Sequence, residues 1–298
     1  MKMFIPEAKP IRVLLVGASG KLGKLVVHFW NDFSPLVTLV EQHRRSHPGN
    51  SVKWSPLDGH LELSKFVDKF GNFDVMVILA GATPNSNNEY SLNKDIIVSC
   101  LSAANRLKIK KILVASSSAV YGSYKAIPFT ETSKCIPQNP YGISKLEMER
   151  ECDIWRSKGL EICCLRIGNV VGADALSSNI LSSTMENVLY LDVFPTGGGA
   201  IRSYIGPRTM ASVIHSLCLY SGRLPETLNI ASPTPVSMID IAAASGKPWK
   251  SRDVCNGTNR SITLDCSALS KVYCFDRRDS EPNTMVAQWK ETLVHETF

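Results

Sequence analysis

Ile11-Arg12-Val13-Leu14-Leu15-Val16 runs directly into Gly17-Ala18-Ser19-Gly20-Lys21-Leu22-Gly23, and this junction decides the fold class. The first six residues are a short, almost continuous apolar run, which reads as a parallel strand buried on both faces. The glycines follow a GxxGxxG spacing, and residues 22–30 then take up helical spacing. Glycine at a strand-to-helix junction permits a tight turn and lets backbone approach a pyrophosphate at the positive end of the helix dipole. Gly17, Ser19, Gly20, Lys21, Leu22 and Gly23 are therefore candidate dinucleotide contacts. The alternative is a plain turn with three glycines.

The same rhythm recurs downstream. Residues 37–40 and 52–54 read as strands, 61–70 as a helix and 75–80 as a strand. Past the turn-forming stretch Pro84-Asn85-Ser86-Asn87-Asn88, the pattern predicts a helix over 90–106, a strand over 111–115, a helix over 141–156 and a strand over 160–167. Strands alternating with helices predict a Rossmann-type, doubly wound α/β fold whose parallel sheet is covered on both faces. After Gly172 the rhythm loosens. An irregular stretch from Ala173 ends in Pro195-Thr196-Gly197-Gly198-Gly199; residues 210–221 and 236–245 look helical, and 227–230 strand-like. Residues 1–172 are thus expected to form a dinucleotide-binding domain. Residues 173–298 are expected to form mainly a small substrate-binding cap over the carboxyl ends of the strands, with about 205–232 returning to the first domain.

With 298 residues, 44% hydrophobic and 20% charged, the chain can bury a large core, as soluble enzymes do. The net charge of +6 is spread rather than massed, so neither a nucleic-acid surface nor a membrane partner is expected, and an anionic small substrate suits it. Nine cysteines, among them Cys255, lack C-x-x-C spacing, which argues against a disulfide framework and for a reducing cytoplasm. Cys163-Cys164 lies in an apolar strand and reads as core packing. His28, His43, His47, His60, His215 and His295 show no metal spacing, so no metal is expected. Residues 1–10 and the short apolar run after them form neither a signal-peptide core nor a membrane span.

The end of the second strand sets the coenzyme preference, and its residues pull both ways. Glu41 could accept the adenosine ribose hydroxyls of NAD, whereas Arg44 and Arg45 could grip the 2'-phosphate of NADP. NADP is the preferred reading and NAD the alternative. Leu57 and Asp58 follow the third strand, where Asp58 could face an adenine amino group or cap the next helix.

The chemistry is carried by Tyr141 and Lys145, one helical turn apart, and by Ser117 upstream in Ser116-Ser117-Ser118-Ala119-Val120-Tyr121-Gly122. Residues at i and i+4 share a helix face, so the lysine ammonium is expected to lie near the phenol and favour its ionised form. A phenol so tuned exchanges protons near neutral pH, and the Ser117 hydroxyl can hydrogen-bond a reacting oxygen.

These residues resemble the extended short-chain dehydrogenases/reductases, the NAD-dependent epimerase/dehydratase family that acts on nucleotide sugars. The resemblance runs from about Ile11 to Ala211. It rests on the glycine loop, on the Ser-Ser-x-x-Val-Tyr-Gly signature at 116–122 and on Pro-Tyr-x-x-Ser-Lys at 140–145. By resemblance, Ser117, Tyr141 and Lys145 are catalytic, Leu79, Ala80 and Gly81 face the coenzyme, and Asn93 matches the asparagine of the following helix. Ser118, next to the catalytic hydroxyl, falls among the substrate-facing residues. Leu165-Arg166-Ile167-Gly168-Asn169 is similar to the family's Leu-Arg-x-x-Asn, which implies a sugar-nucleotide diphosphate on Asn169, and Arg202 is similar to its phosphate-binding arginine. A strand-end turn for Asn169 and a surface charge for Arg202 stay open. The resemblance also implies a homodimer through the helices that begin near Tyr90 and Tyr141.

Two departures narrow the expectation. The family's Arg-Asp-Tyr-Ile-His-Val-x-Asp segment reads Arg202-Ser203-Tyr204-Ile205-Gly206-Pro207-Arg208-Thr209 here, without its aspartates and histidine. The Asp-Glu pair of the family's 4,6-dehydratases is replaced by Ser118-Ala119, which can do no acid/base work, so that dehydration is not expected. What remains is an oxidoreductase or epimerase at a secondary alcohol or ketone, with C4 of a nucleotide-activated sugar as the expected position. A reductase of a non-sugar carbonyl and a non-catalytic dinucleotide sensor or chaperone are the alternatives.

Overall fold

In the computed structural model, seven parallel strands lie in the order β3-β2-β1-β4-β5-β6-β11. These are β1 (Ile11–Val16), β2 (Val37–His43), β3 (Ser51–Lys53), β4 (Val75–Ile78), β5 (Lys111–Ser117), β6 (Glu161–Ile167) and β11 (Thr227–Ile230). The structure describes residues 10–33, 35–84, 89–123, 128–184, 187–195, 197–254 and 260–294. Asn85–Asn88 of the predicted turn, Thr196, Cys255 and His295 lie outside these residues.

Period-two alternation sorts the strand side chains between two cores. Val13, Leu15, Val75 and Val77 point to one face, where α1 (Lys21–Trp30) contributes Leu25, Phe29 and Trp30 and α6 (Pro207–Leu219) contributes Met210 and Ile214. Leu14, Val16, Met76 and Ile78 point to the other. There they meet Leu63 of α2 (Leu61–Phe70), Ile97 and Leu101 of α3 (Leu92–Arg106), and Met148 and Cys152 of α4 (Pro140–Arg156). The strand order reverses between β1 and β4, so the chain leaves those two neighbours toward opposite faces and opens a crevice at their carboxyl ends.

The remaining elements form a third core beside this sheet. They are β7 (Asn169–Val170), α5 (Ala175–Ser182), β8 (Leu189–Val193), β9 (Ile201–Arg202), β10 (Tyr204–Ile205), β12 (Val236–Ser237), α7 (Met238–Ser245), β13 (Trp249–Asp253), β14 (Ser261–Ile262) and α8 (Pro282–Val294). Leu176, Ile180, Tyr204, Ile241, Met285 and Trp289 meet in its centre. The helix predicted over 236–245 starts only at Met238, because Val236 and Ser237 pair with β9 and the Ser237 hydroxyl accepts from the Ile239 amide at 3.2 Å. The strand predicted to reach residue 80 stops at Ile78, since the Leu79 and Ala80 amides both turn to the Val16 carbonyl, at 2.8 and 3.1 Å. Cys163 and Cys164 are buried in β6, one facing each side of the sheet. Among the described residues, no helix is long and apolar enough to cross a membrane.

Candidate active site

The crevice is lined first by the glycine loop. Gly17 has φ +91°, and a Cβ there would lie 2.5 Å from the Ala80 amide nitrogen, so only glycine lets the loop settle against the end of β4. A Cβ on Gly23 would lie 2.1 Å from the Gly17 carbonyl oxygen, which makes the first helical turn as demanding. Gly20, the N-cap of α1, supplies no side-chain cap, and the first turn of the helix carries no acidic residue. Uncapped amides at the positive end of a helix dipole, at a strand switch point, fit the diphosphate of a dinucleotide. Ser19 is exposed and Leu22 half-buried in this loop, and the Lys21 ammonium donates to the Ser178 hydroxyl of α5 at 3.0 Å.

The neighbour of the loop on β2 is Gln42, whose position the sequence did not single out. The Gly17 amide donates to Gln42 Oε1 at 3.0 Å, and Gln42 Nε2 donates to the Trp54 carbonyl. Glu41, the residue expected to face the ribose, instead meets His43 Nε2 through Oε2 at 3.0 Å. Side chains alternate along a strand, so the loop-facing place belongs to residue 42. Arg44 and Arg45 are exposed. Leu57 and Asp58 lie exposed in a 3-10 turn over Pro56–Asp58, and His60, not Asp58, stands at the N-cap of α2. The capping alternative for Asp58 is thereby corrected. His43 and His47 stack with ring centroids 3.9 Å apart beside Glu41, a gathering that linear spacing did not reveal.

Ser117, Tyr141 and Lys145 come together at the end of β5. Ser117 caps the turn formed by Ser118–Val120, accepting from the Ala119 amide at 3.2 Å, and its hydroxyl lies near the Tyr141 phenol, whose pKa it lowers. Ser118 is half-buried beside it. Tyr141 is in the first turn of α4, which Pro140 starts and Asn139 caps by accepting from the Gly142 amide at 2.8 Å. Gly142 brings the helix close: a Cβ on it would lie 2.6 Å from the Ala119 carbonyl oxygen. Glycine inside a helix costs about 1 kcal/mol relative to alanine, and here that cost goes with the approach of Tyr141 to Ser117.

The expected effect of Lys145 on the phenol is not what the geometry gives. Burial pushes the Tyr141 phenol up, the Ser117 hydroxyl pulls it down, and Tyr90, whose ring centroid is 6.0 Å away, pushes it up again. The buried Lys145 ammonium donates instead to the Ala115 carbonyl at 2.9 Å, and burial lowers its pKa to about 8. A charge taken out of water needs a close acceptor, and the open end of β5 offers one. Asn93 lies alongside, donating to the Ser144 hydroxyl at 3.0 Å, while its Oδ1 is buried without a partner. A Cβ on Gly81 would lie 2.5 Å from that oxygen and 3.3 Å from the lysine Nζ, so the Leu79-Ala80-Gly81 segment closes directly over both.

Behind the site, the Arg166 guanidinium is buried against Glu149, with Nη2 donating to Oε2 at 2.7 Å, and Ser116 donates to Glu149 Oε1 at 2.5 Å. Arg166 also reaches the Tyr121 hydroxyl, which donates to Asn229 Oδ1 at 2.7 Å. Glu149 stands one turn beyond Lys145 on α4, so this network fixes α4 against β5, β6 and β11.

Asn169 and Arg202 are neighbours through Ser203, whose carbonyl accepts from the Asn169 amide at 2.8 Å. Asn169 Nδ2 faces Asp174 at 3.3 Å, and the Arg202 guanidinium donates to the Ile201 and Arg260 carbonyls at 2.8 and 2.9 Å. Burial lowers the pKa of that guanidinium, and no carboxylate bonds it among the described residues. The departures that follow Arg202 have structural occupations. Ser203 accepts from the Leu264 amide, Thr209 donates to Asp279, and a Cβ on Gly206 would lie 2.1 Å from Gln288 Oε1.

Residues 13–231 match the family described as NAD dependent epimerase/dehydratase family. The chain belongs to this family. It is an enzyme of the extended short-chain dehydrogenase/reductase type. It is 29% identical over 269 residues to a UDP-glucose 4-epimerase of Lacticaseibacillus casei, covering 79% of this chain and 80% of that protein. A UDP-glucose 4-epimerase of Azospirillum brasilense is 33% identical over 174 residues, 55% of this chain and 50% of that protein. Among solved structures, the UDP-glucose-4-epimerase of Stenotrophomonas maltophila with bound NAD and formylated UDP-arabinopyranose superposes with a TM-score of 0.76 at 19% identity. That superposition covers 96% of this chain and 99% of the other. A UDP-glucuronic acid 4-epimerase of Bacillus cereus in complex with NAD gives a TM-score of 0.74 at 20% identity, covering 95% and 96%.

Proposed function

We propose that this protein is a nicotinamide-dependent enzyme that interconverts alcohol and ketone at C4 of a nucleotide-activated sugar, running the step in both directions as an epimerase. One observation carries the proposal: Ser117, Tyr141 and Lys145 meet at the end of β5, with the Ser117 hydroxyl near enough to the Tyr141 phenol to lower its pKa, in the sheet that holds the glycine loop. The coenzyme supplies hydride exchange when bound. Tyr141, kept protonated by burial, donates its proton to the oxygen of a ketone and takes one from the alcohol in the reverse step. Ser117 hydrogen-bonds the same oxygen as its charge grows. Lys145 and Asn93, facing Gly81, hold the ribose next to the reacting ring, and a ribose hydroxyl would satisfy the orphan Asn93 oxygen. Asn169 and Arg202 take the sugar-nucleotide diphosphate, an arginine and an amide donor suiting two phosphates. That relatives over most of this chain's length are UDP-glucose 4-epimerases supports a UDP-sugar as substrate.

For the coenzyme, NADP is favoured over NAD. The residue at the glycine loop is the neutral Gln42, Glu41 is engaged by His43, and Arg44 and Arg45 are exposed. A 2'-phosphate there meets the positive charge of Arg44 and Arg45. This same observation favours the second reading, a reductase that consumes NADPH. A homodimer through the outer faces of α3 and α4 is supported by exposed Ile143 and Ile154 on α4.

Tyr141→Phe tests the central proposal. Turnover of UDP-sugars should fall by roughly 10²–10⁴-fold, while coenzyme titrations remain as in the parent protein, with NADPH binding tighter than NADH. Retained turnover overturns the assignment of Tyr141, and tighter NADH binding overturns that of the coenzyme.

A further inference from the structure

We propose that Glu41, His43 and His47 form a binding site for one divalent transition-metal cation of the Zn²⁺ class at the end of β2. This does not rest on the reading of the catalytic site. One ligand atom from each residue lies within 4.8 Å of the other two. Glu41 and His43 share a strand face, being two residues apart on β2, and the loop to β3 folds back to lay His47 flat on His43, the ring planes 4° apart.

The separation of Glu41 and His43 suits coordination. His43 Nε2 and Glu41 Oε2 are 3.0 Å apart. Two ligands each about 2.0–2.1 Å from one cation, at angles between right and tetrahedral, sit about 2.9–3.4 Å apart. The cation takes the place of the proton between them, and that proton moves to His43 Nδ1, leaving a neutral ring. Because the two rings lie in parallel planes, the exposed His47 ring turns out of the stack to aim Nε2 at the cation as the third ligand, with water completing the shell.

Hydrogen bonds set the His47 tautomer and hold the backbone that carries the ligands, as an outer shell does in metal centres. The Pro48 carbonyl, which can only accept, takes a hydrogen bond from His47 Nδ1 at 2.8 Å, so the lone pair of the neutral ring is on Nε2. The loop carrying His47 is itself tied down. Ser51 donates its hydroxyl to the His47 carbonyl at 2.6 Å, Asn50 Nδ2 donates to the Leu39 carbonyl at 2.6 Å, and the Glu41 amide donates to the Asn50 carbonyl at 3.0 Å. Two imidazoles and a carboxylate are a donor set that borderline cations prefer to the all-oxygen shells of Ca²⁺ or Mg²⁺. A cation here would pin the loop that carries Arg44 and Arg45.

Titration of the full-length protein with Co²⁺, followed by visible absorption and competed with Zn²⁺, tests the site. The expected result is saturation at one cation per chain, displacement by Zn²⁺, and no thiolate charge-transfer band. His47→Ala, at an exposed position, and the double variant His43→Ala/His47→Ala should each weaken binding by about tenfold or more, with circular dichroism unchanged for His47→Ala. Absence of saturable binding overturns the proposal, as does a thiolate band or an affinity that His47→Ala leaves unchanged.

Discussion

Lys145 is the residue whose surroundings differ most from what its position in the sequence implies. Helical spacing places it one turn from Tyr141, but the ammonium follows the nearest acceptor, the Ala115 carbonyl, into a buried place. Its pKa of about 8 is below the value of about 10.4 for lysine in water. Below about pH 8 the folded protein carries this charge against the burial penalty. Between about 8 and 10.4 the unfolded chain still binds a proton that the folded chain has released, so the penalty fades and the stability due to this group rises with pH. Lys145→Met removes the group, so the difference in Tm, variant minus parent, should fall as the pH is raised from about 8 to 10. A difference that stays flat over that range would falsify the claim that the ammonium is desolvated. Gln42 shows the converse case. Glu41 drew notice for its charge, yet the alternation of side chains along β2 gives the loop-facing place to the neutral amide.

At the scale of elements, the approach of α4 to the turn after β5 is what joins Tyr141 to Ser117. An alanine in an exposed helix is worth about 1 kcal/mol more than glycine, so Gly142→Ala would stabilise a helix with open space beside it. Here the new methyl meets the Ala119 backbone oxygen at 2.6 Å. Overpacking of this kind costs about 1–3 kcal/mol, so the variant should melt at a lower temperature and lose kcat more than it changes KM. A higher Tm, measured by calorimetry, would count against the close approach. Helices and sheet strands were largely readable: α2 and β11 run over the residues their patterns predict, and α1 differs by one residue. Their long apolar faces each meet one side of a large sheet, so periodicity reports burial directly. The two-residue strands β7, β9, β10, β12 and β14 are too short to carry a period, and α8 and β13 follow a stretch where the rhythm is lost. The glycine loop was legible because it occupies a single strand-to-helix junction, whereas the surroundings of Lys145 were not, since its ammonium follows the Ala115 carbonyl rather than its helical neighbour. The pairing of Glu149 with Arg166 was not legible either, since it joins residues 17 positions apart on different elements.

That pair matters to the whole molecule. Glu149, Arg166, Ser116, Tyr121 and Asn229 link a helix and three strands through buried polar contacts behind Ser117, Tyr141 and Lys145. Burial works against the Arg166 charge, but the hydrogen bond and negative charge of Glu149 overcome it and raise the guanidinium pKa above its ordinary value. Removing one partner leaves the other charged and unpaired, at a cost of about 3–5 kcal/mol, whereas replacing both with apolar residues of similar size removes the liability. In urea denaturation, Glu149→Leu and Arg166→Met should each lower stability by about that amount, and the double variant by less than the sum of the two. Additive losses would show that the two side chains act independently.

The order of strands carries one further consequence. β11, the outermost member of the large sheet, and α6, which covers Phe29 and Trp30, are both made by chain that has already passed through the smaller core and will re-enter it. The two halves are therefore stitched rather than hinged end to end. Cutting after Gly172 would strip the sheet of one edge and bare an aromatic face, so the smaller core cannot be traded between proteins as a cassette; it can only be remodelled where it stands.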